Sequence, residues 1–343
     1  MTRRVSAYDV AKVAGVSQST VSRVLNNYPY VKQETRDKVL EAIQEIGFSP
    51  DEIARSLAKN KTNTIGLITT DISNPFYGET AHIILREAQK YDYDVIIIDA
   101  ETDSHSFERA VSTLVGKRVD GIIVASIRKD NRKILDYGKQ GLPIISYNRK
   151  IDDHERAHFI EVDNKLGAQI AVDYLVELKH ESIAFISGPM IYSTFHDRLQ
   201  GYQQAIQAHG LTYDESIVYQ GENEYDQIVQ FSLSLLKKDT HPTAFFASTD
   251  NMALAIMDAV AQSGRKIPED VSIIGFDDIN IAGNPYIGLT TVSQHKNEMA
   301  VQTLDTLIHL MEDSSKLGTP KQIIFTPALI VRKTTAVNSS SST

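Results

Sequence analysis

From Thr64 onward the chain alternates short apolar runs with stretches of helical periodicity, and this alternation restricts the fold more than any other feature. The runs are TIGLITT (64–70), DVIIIDA (94–100), GIIVAS (121–126), PIISYN (143–148), SIAFISG (182–188), TAFFAST (243–249) and SIIGFDD (272–278). A strand that is apolar at successive positions shows an apolar side chain to both faces of its sheet. Only helices laid on both faces can keep such strands from water, which is the arrangement of parallel sheets. Seven such units exceed one compact sheet, and Asp152–Asp163 reads as a boundary between two lobes. The expectation is an α/β body of two doubly wound lobes. A ligand cleft should form from the loops at the carboxyl ends of the strands, where open α/β sheets bind.

The amino-terminal residues follow a different rule. Tyr8–Asn27 reads YDVAKVAGVSQSTVSRVLNN, with Val10, Ala14, Val16, Val21 and Val24 at helical spacing on either side of a break. Two short helices sharing one apolar seam satisfy that spacing. Ala11 keeps their crossing tight, Gly15 ends the first helix with a residue free to take positive φ, and Ser17 caps the second. The outer face of the second helix carries Gln18, Ser19, Thr20, Ser22, Arg23 and Asn26, without an acid. Small hydroxyls, amides and an Arg suit phosphates and base edges, so the pair reads as a DNA-reading helix-turn-helix; the plainer reading is an amphipathic hairpin with a polar surface. A third helix follows at Gln33–Ile46, apolar at Val39, Leu40, Ile43 and Ile46 and stopped by Gly47. Residues 48–60 have helical propensity, and 60–64 link them to the body.

Charge and composition narrow the function. A net charge of −9 looks wrong for a DNA binder until it is divided along the chain. Residues 1–61 carry ten Lys and Arg against seven Asp and Glu, and the remainder carries 25 against 37. A basic head on an acidic body leaves one end suited to phosphates. With no cysteine among 343 residues, disulfides, thiolate catalysis and Cys-based zinc sites are excluded, as expected of a reducing cytoplasm. The polar, basic start MTRRVSAYDV has no apolar core of a signal peptide. No apolar run approaches the roughly 18 residues that span a membrane. Motifs for nucleotide-phosphate loops, zinc hydrolases and serine nucleophiles are absent, and the ten His residues show no ligand spacing, so neither an enzyme nor a metal or other cofactor is expected.

Several further motifs stand in a fixed order after the helix-turn-helix: ARSLAKNKT (54–62), NPFY (74–77), DRLQGY (197–202), STDNMA (248–253), PEDVSIIGFDD (268–278) and LTTVSQ (289–294). Together, over residues 5 to about 335, the chain resembles the lactose repressor/galactose repressor family of bacterial, effector-controlled transcription regulators. The resemblance implies an N-terminal all-α helix-turn-helix DNA-binding domain (1–48), then a hinge helix and linker (49–61). An α/β two-lobed, periplasmic-binding-protein-like body with doubly wound parallel sheets should fill 62–335. Its N-lobe should cover about 62–160 plus 293–320 and its C-lobe about 161–292 plus 321–335, leaving 336–343 as a disordered tail.

Residue roles follow from the same resemblance. Gln18, Ser19 and Arg23 would reach base edges in the major groove, while Ser17, Thr20 and Asn26 hold phosphates. The Ile53–Lys59 segment would become helical on the operator, with Leu57 as a wedge in a minor-groove base step, or else packed on the body. Ala54 and Ala58 would let two hinge helices approach, and Arg55 would point at the groove. Asp51, where the family often has Asn, reads as an N-cap. For the effector, the resemblance implies Phe76, Tyr77, Asn148, Arg149, Tyr192, Thr194, Arg198, Asn223, Thr249, Asp277 and Gln294. Asn148 stands where an Asp is frequent. Arg198, early in a helix beginning near His196, opposes the helix dipole and so calls for a partner. Phe76 could equally be core; Asp250 could be a ligand or a cap, and Asp278 reads as a cap.

The resulting expectation is a homodimeric repressor of double-stranded operator DNA, acting in the cytoplasm without membrane contact. Its effector is expected to be a small carbohydrate or sugar derivative. Without a C-terminal Leu heptad, dimers rather than tetramers are expected. A solute-binding protein of a transport system is the alternative with the same body, and a protein co-regulator on the body surface is left open.

Overall fold

The computed structural model describes residues 5–25, 28–48, 61–100 and 104–339. The expected contacts at Asn26, Arg55, Leu57 and Ala58, with Asp51 and Ala54, lie outside the described residues. The chain divides into two compact units, Met1–Thr62 and Asn63–Thr343.

The first unit contains α1 (Ala7–Ala14), α2 (Gln18–Leu25) and α3 (Gln33–Ile46). Ser6 and Asp9 close a capping box at α1: the Asp9 carboxylate accepts from the Ser6 amide at 2.9 Å, and the Ser6 hydroxyl accepts from the Asp9 amide at 3.4 Å. Gly15, at φ 68°, reverses the chain after α1. Ser17 caps α2, its hydroxyl accepting from the Thr20 amide at 3.2 Å. The core is Val10, Ala11, Val21, Val24, Val39, Ala42 and Phe48, with Ala14, Val16, Ile43 and Ile46 packed against it. Leu40, expected in this core, is 48% exposed. Residues 39, 42, 43 and 46 form the i, i+3, i+4, i+7 stripe of α3, and Leu40 falls beside it.

The second unit holds two six-stranded sheets. The first is built on β1 (Thr64–Thr69), α4 (Pro75–Lys90), β2 (Asp94–Asp99), α5 (Ser104–Gly116), β3 (Gly121–Val124), α6 (Lys133–Lys139), β4 (Ile144–Tyr147) and β5 (Phe159–Val162). The second is built on α7 (Asn164–Glu177), β6 (Ile183–Ile186), α8 (Ser193–Ala208), β7 (Val218–Tyr219), α9 (Tyr225–Leu236), β8 (Ala244–Ala247), α10 (Asp250–Gln262), β9 (Ser272–Asp277) and β10 (Thr290–Ser293). The chain then returns through α11 (Lys296–Glu312) to β11 (Gln322–Phe325) in the first sheet and ends with β12 (Ala328–Ile330) in the second. The orders β11-β5-β4-β3-β1-β2 and β12-β10-β9-β8-β6-β7 are the same doubly wound order twice, with β12 the antiparallel member. In each sheet the strand order reverses at the first strand, so β1 and β6 mark the switch points that place a ligand cleft at the carboxyl ends. All seven expected runs are strands, and five of them are buried along their whole length.

Three details correct the sequence reading. The expected lobe boundary at 160/161 falls inside β5; the chain first crosses after Val162, at the far end of the Asp152–Asp163 segment. Gln322–Phe325 pairs in parallel with Phe159–Val162, so this stretch belongs to the first sheet and only β12 onward to the second. The expected disordered tail is anchored at its start: the Ala336 carbonyl accepts from the His180 ring at 3.0 Å, and the Asn338 amide donates to the Leu178 carbonyl at 2.8 Å.

Candidate functional site

In the first unit, α2 presents Gln18, Ser19, Ser22 and Arg23 to solvent. The Ser17 hydroxyl lies 2.8 Å from both the Ser19 and Thr20 hydroxyls, which fixes a cluster of small polar groups at the helix start. The Arg23 guanidinium lies 5.9 Å from the Tyr28 ring centre. No acid occurs between Asp9 and Glu34, so the positive end of the α2 dipole faces outward uncompensated by sequence. Exposed Tyr8, Tyr28 and Tyr30 share the unit's surface and were not singled out from sequence.

In the second unit, the strand ends of both sheets converge on a cavity of about 190 Å³. Ten of the eleven residues expected at an effector line it: Phe76, Tyr77, Asn148, Arg149, Tyr192, Thr194, Arg198, Asn223, Thr249 and Asp277. Gln294 does not. It is fully buried behind the wall and donates to the Asp277 carboxylate at 2.5 Å, so it positions that carboxylate.

Local chemistry explains each placement. Asn74 caps α4, its side-chain oxygen accepting from the Phe76 amide at 3.1 Å, with Pro75 at the first helical position. Phe76 thereby both packs in the core, 6.2 Å from the Tyr147 ring, and faces the cavity. Asn148 and Arg149 leave the end of β4, Asn148 at φ 67°. The Arg149 guanidinium donates to the Ser126 hydroxyl at 2.5 Å and lies over the Tyr192 ring at 3.7 Å.

Arg198 is 2% exposed and three residues further into its helix than expected, since α8 begins at Ser193. Its Nε donates to the Asn164 side chain at 2.9 Å, Nη1 to the Ser248 carbonyl, and its plane lies 3.6 Å over Phe276. Gly201, one turn on, makes this reach possible: a Cβ there would collide with the Lys165 carbonyl and hold α8 away from α7. Burial pushes the Arg198 pKa down to about 10, and Asp277, 3.7 Å away, opposes that shift. Burial likewise raises Asp277 to about 6, against the pull of Arg198 and Gln294. Asp277 sits at φ 123° and Asp278 at φ 56°, a strained exit from β9 of the kind that collects at binding sites.

Two acids have other roles than expected. Asp278 is no cap; it pairs with the Arg332 guanidinium at 2.6 Å. Asp250 neither lines the cavity nor caps α10, whose cap is Thr249, accepting from the Met252 amide at 3.1 Å. Asp250 is wholly buried, accepting from the Ile279 amide at 2.9 Å and the Thr291 hydroxyl at 2.5 Å, and burial raises its pKa well above the usual carboxylate range. It therefore braces the loop after β9 from beneath. The cavity wall also includes Thr70, Asp71, Asn74, Pro189, Phe195, Glu222 and Glu224, which sequence did not mark.

Several buried polar atoms on this wall lack a hydrogen-bond partner among the described residues: Asn148 Oδ1, Arg149 Nε, Arg198 Nη2 and Asn223 Oδ1. Native interiors satisfy nearly all such atoms, so their concentration in one place signals a site made to be filled.

Comparison with known proteins decides the class. Residues 6–51 match the bacterial regulatory proteins of the lacI family, and residues 172–335 match the periplasmic binding protein-like domain. Over 326 residues the chain is 34% identical to catabolite control protein A of Priestia megaterium, covering 94% of this chain and 98% of that one. The chain belongs to the lacI family of bacterial regulatory proteins. It is 33% identical to the ribose operon repressor of Escherichia coli (strain K12) over 88% of this chain and 91% of that protein. In structure it resembles the lac repressor dimer bound to operator and the anti-inducer ONPF, with a TM-score of 0.87 at 27% identity, covering 97% of this chain and all of the other. It also resembles the complex of the transcriptional regulator CelR with cellobiose, with a TM-score of 0.72 at 29% identity over 96% of this chain and 100% of that one. As a family member it is a DNA-binding transcriptional regulator with an effector-binding body. The transport-protein alternative is not favoured, because the amino-terminal match is to the regulators. These relatives are regulators rather than enzymes, and no helix among the described residues is long and apolar enough to cross a membrane.

Proposed function

We propose that the protein is a homodimeric repressor, acting in the cytoplasm, that releases or grips its operator according to a sugar or sugar derivative in the inter-lobe cavity. In this reading Gln18, Ser19 and Arg23 read bases, Ser17, Thr20 and Asn26 hold phosphates, and Arg55, Leu57 and Ala58 act at the minor groove. The cavity residues Phe76, Tyr77, Asn148, Arg149, Tyr192, Thr194, Arg198, Asn223, Thr249 and Asp277 contact the effector. The observation that carries the reading is the set of unpartnered buried donors and acceptors on the cavity wall, set among aromatic rings. Aromatic faces with fixed hydrogen-bonding groups suit a hydroxylated ring. The volume, below the roughly 300–1,000 Å³ of drug-sized sites, suits one of monosaccharide size.

The test has two halves. Duplexes selected from a random pool by the full chain should bind with an affinity that falls steeply with salt, as phosphate contacts require. A thermal-shift panel of monosaccharides, disaccharides, sugar acids and sugar phosphates should then give a ligand whose stabilisation is lost in Arg198→Ala. Ligand stabilisation undiminished in Arg198→Ala would move the effector site elsewhere.

A further inference from the structure

Resting on the reading of this cavity as the effector site, we infer that its ligand is an anionic polyhydroxy compound of monosaccharide size, a sugar acid or sugar phosphate, with Arg149 as the seat of its negative group. Two buried guanidinium groups share the wall, and they are not equally compensated. Arg198 has Asp277 at 3.7 Å. Arg149 has no carboxylate within ion-pair distance among the described residues; it has the Ser126 hydroxyl at 2.5 Å and the faces of Tyr192, Tyr77 and Phe195 at 3.7, 5.9 and 5.8 Å. A cation 6% exposed and held, among the described residues, by a hydroxyl and ring faces is costly to keep there without a counter-charge. It also repels its neighbour, since Arg149 is among the causes lowering the Arg198 pKa.

The other acids of the wall do not supply the missing charge. Asp71 is engaged by the turn that starts α4, accepting from Ser73 and Asn74. Glu222 and Glu224 are exposed at the rim, where water and salt screen them. A neutral hydroxyl accepting from Arg149 Nε would fill the hydrogen bond and leave the charge. A carboxylate or phosphate oxygen does both. The ligand must also donate, because Asn148 Oδ1 and Asn223 Oδ1 can only accept. Anionic oxygens and hydroxyl donors on one small molecule define a hydroxy acid or sugar phosphate.

Matched probes on the full chain test this by calorimetry and thermal shift: D-glucose, D-gluconate, D-glucuronate and D-glucose 6-phosphate, then galactose with galacturonate, and ribose with ribose 5-phosphate. At least one anionic member should bind tenfold or more tightly than its neutral parent, and the carboxylate and phosphate arms tell the two sources apart. Arg149→Gln should cut that preference below threefold, whereas Arg149→Lys, which keeps the charge, should retain part of it. A neutral parent that binds as well as its acid or phosphate, or a preference undiminished in Arg149→Gln, overturns the anionic assignment and leaves the effector cavity standing. Absence of binding by every anionic probe also overturns it. If the neutral sugars fail as well, the effector-site reading falls with it.

Discussion

Arg23 and Glu161 show what single residues decide in the two units. Arg23 is exposed on α2, with no carboxylate within ion-pair distance among the described residues, and it is free to reach a base edge. Arg23→Ala should weaken the selected operator by about 1–3 kcal/mol and relax preference at one base pair per half-site, as competition against single-base variants would show. A loss uniform over all sequences would assign Arg23 to a phosphate. Glu161 is 1% exposed, with burial raising its pKa to about 7 despite Lys150 at 2.5 Å. Between the ordinary carboxylate value of 4.5 and about 7 the folded chain therefore holds a proton at Glu161 that the unfolded chain has lost. Stability should fall as pH rises through that window. Urea unfolding across the same range should show Glu161→Gln free of this share of the slope, a difference of at most about 3 kcal/mol. Parallel pH curves for the two proteins would remove Glu161 from that role. The residues that sequence identified at the cleft carry chemistry in their type, as Arg198 and Asp277 do. Gln294 was misplaced because residue type cannot tell a wall from the layer behind it.

At the scale of elements, legibility followed runs of apolar residues in the sequence, not burial: β5 and β10 are buried throughout and were missed, while β2, nowhere fully buried, was read. Most strands built on a run of apolar residues were readable; of those missed, β12 is a three-residue, half-buried edge strand, and the others break that pattern. β5 carries the buried Glu161, β7 has two residues, and β11 is an edge strand alternating exposed and half-buried positions. In β10 (TTVS), entirely buried, Thr290 bonds the Thr335 hydroxyl at 3.1 Å and Thr291 bonds Asp250 at 2.5 Å. Polar residues whose partners lie more than forty positions away look like a loop in sequence. The strained φ values at Asn148, Asp277 and Asp278 had no sequence signal either, since none is a glycine. The helices support two further expectations. Gly201→Val should destabilise the body by about 1–3 kcal/mol or more through overpacking of α8 on α7, with loss of the Arg198–Asn164 bond and of ligand-induced thermal shift. A body of unchanged stability would mean that the helices can part at little cost. Ser6→Ala removes one half of the capping box and should cost the amino-terminal unit about 0.5–2 kcal/mol. Hydrogen exchange should then quicken at α1 amides and stay unchanged in α7; protection unaltered in α1 would show that the cap contributes little.

Across the body as a whole, the lobes meet through contacts that a ligand can favour or oppose. The Lys129 amide donates to the Ile191 carbonyl at 2.9 Å, the Lys150 amide to the Ser193 hydroxyl at 3.0 Å, and Lys150 pairs with Asp197 at 3.0 Å. On another side Glu79 accepts from the Asn280 amide at 2.9 Å. Arg149 and Arg198 face the cavity, and their chain neighbours Lys150 and Asp197 join the lobes. A ligand bridging the two arginines therefore acts one residue from an inter-lobe ion pair. An effector can regulate only by binding one lobe arrangement better than another, and the coupling is reciprocal: operator must change effector affinity by the factor that effector changes operator affinity. The direct measurement is isothermal titration of the effector into the full chain, alone and saturated with operator duplex. Affinities differing by a coupling of about 1–3 kcal/mol, matched by the same factor in operator titrations with and without effector, are the expected result. Equal effector affinity in both states would contradict it and place control of DNA binding outside the cleft.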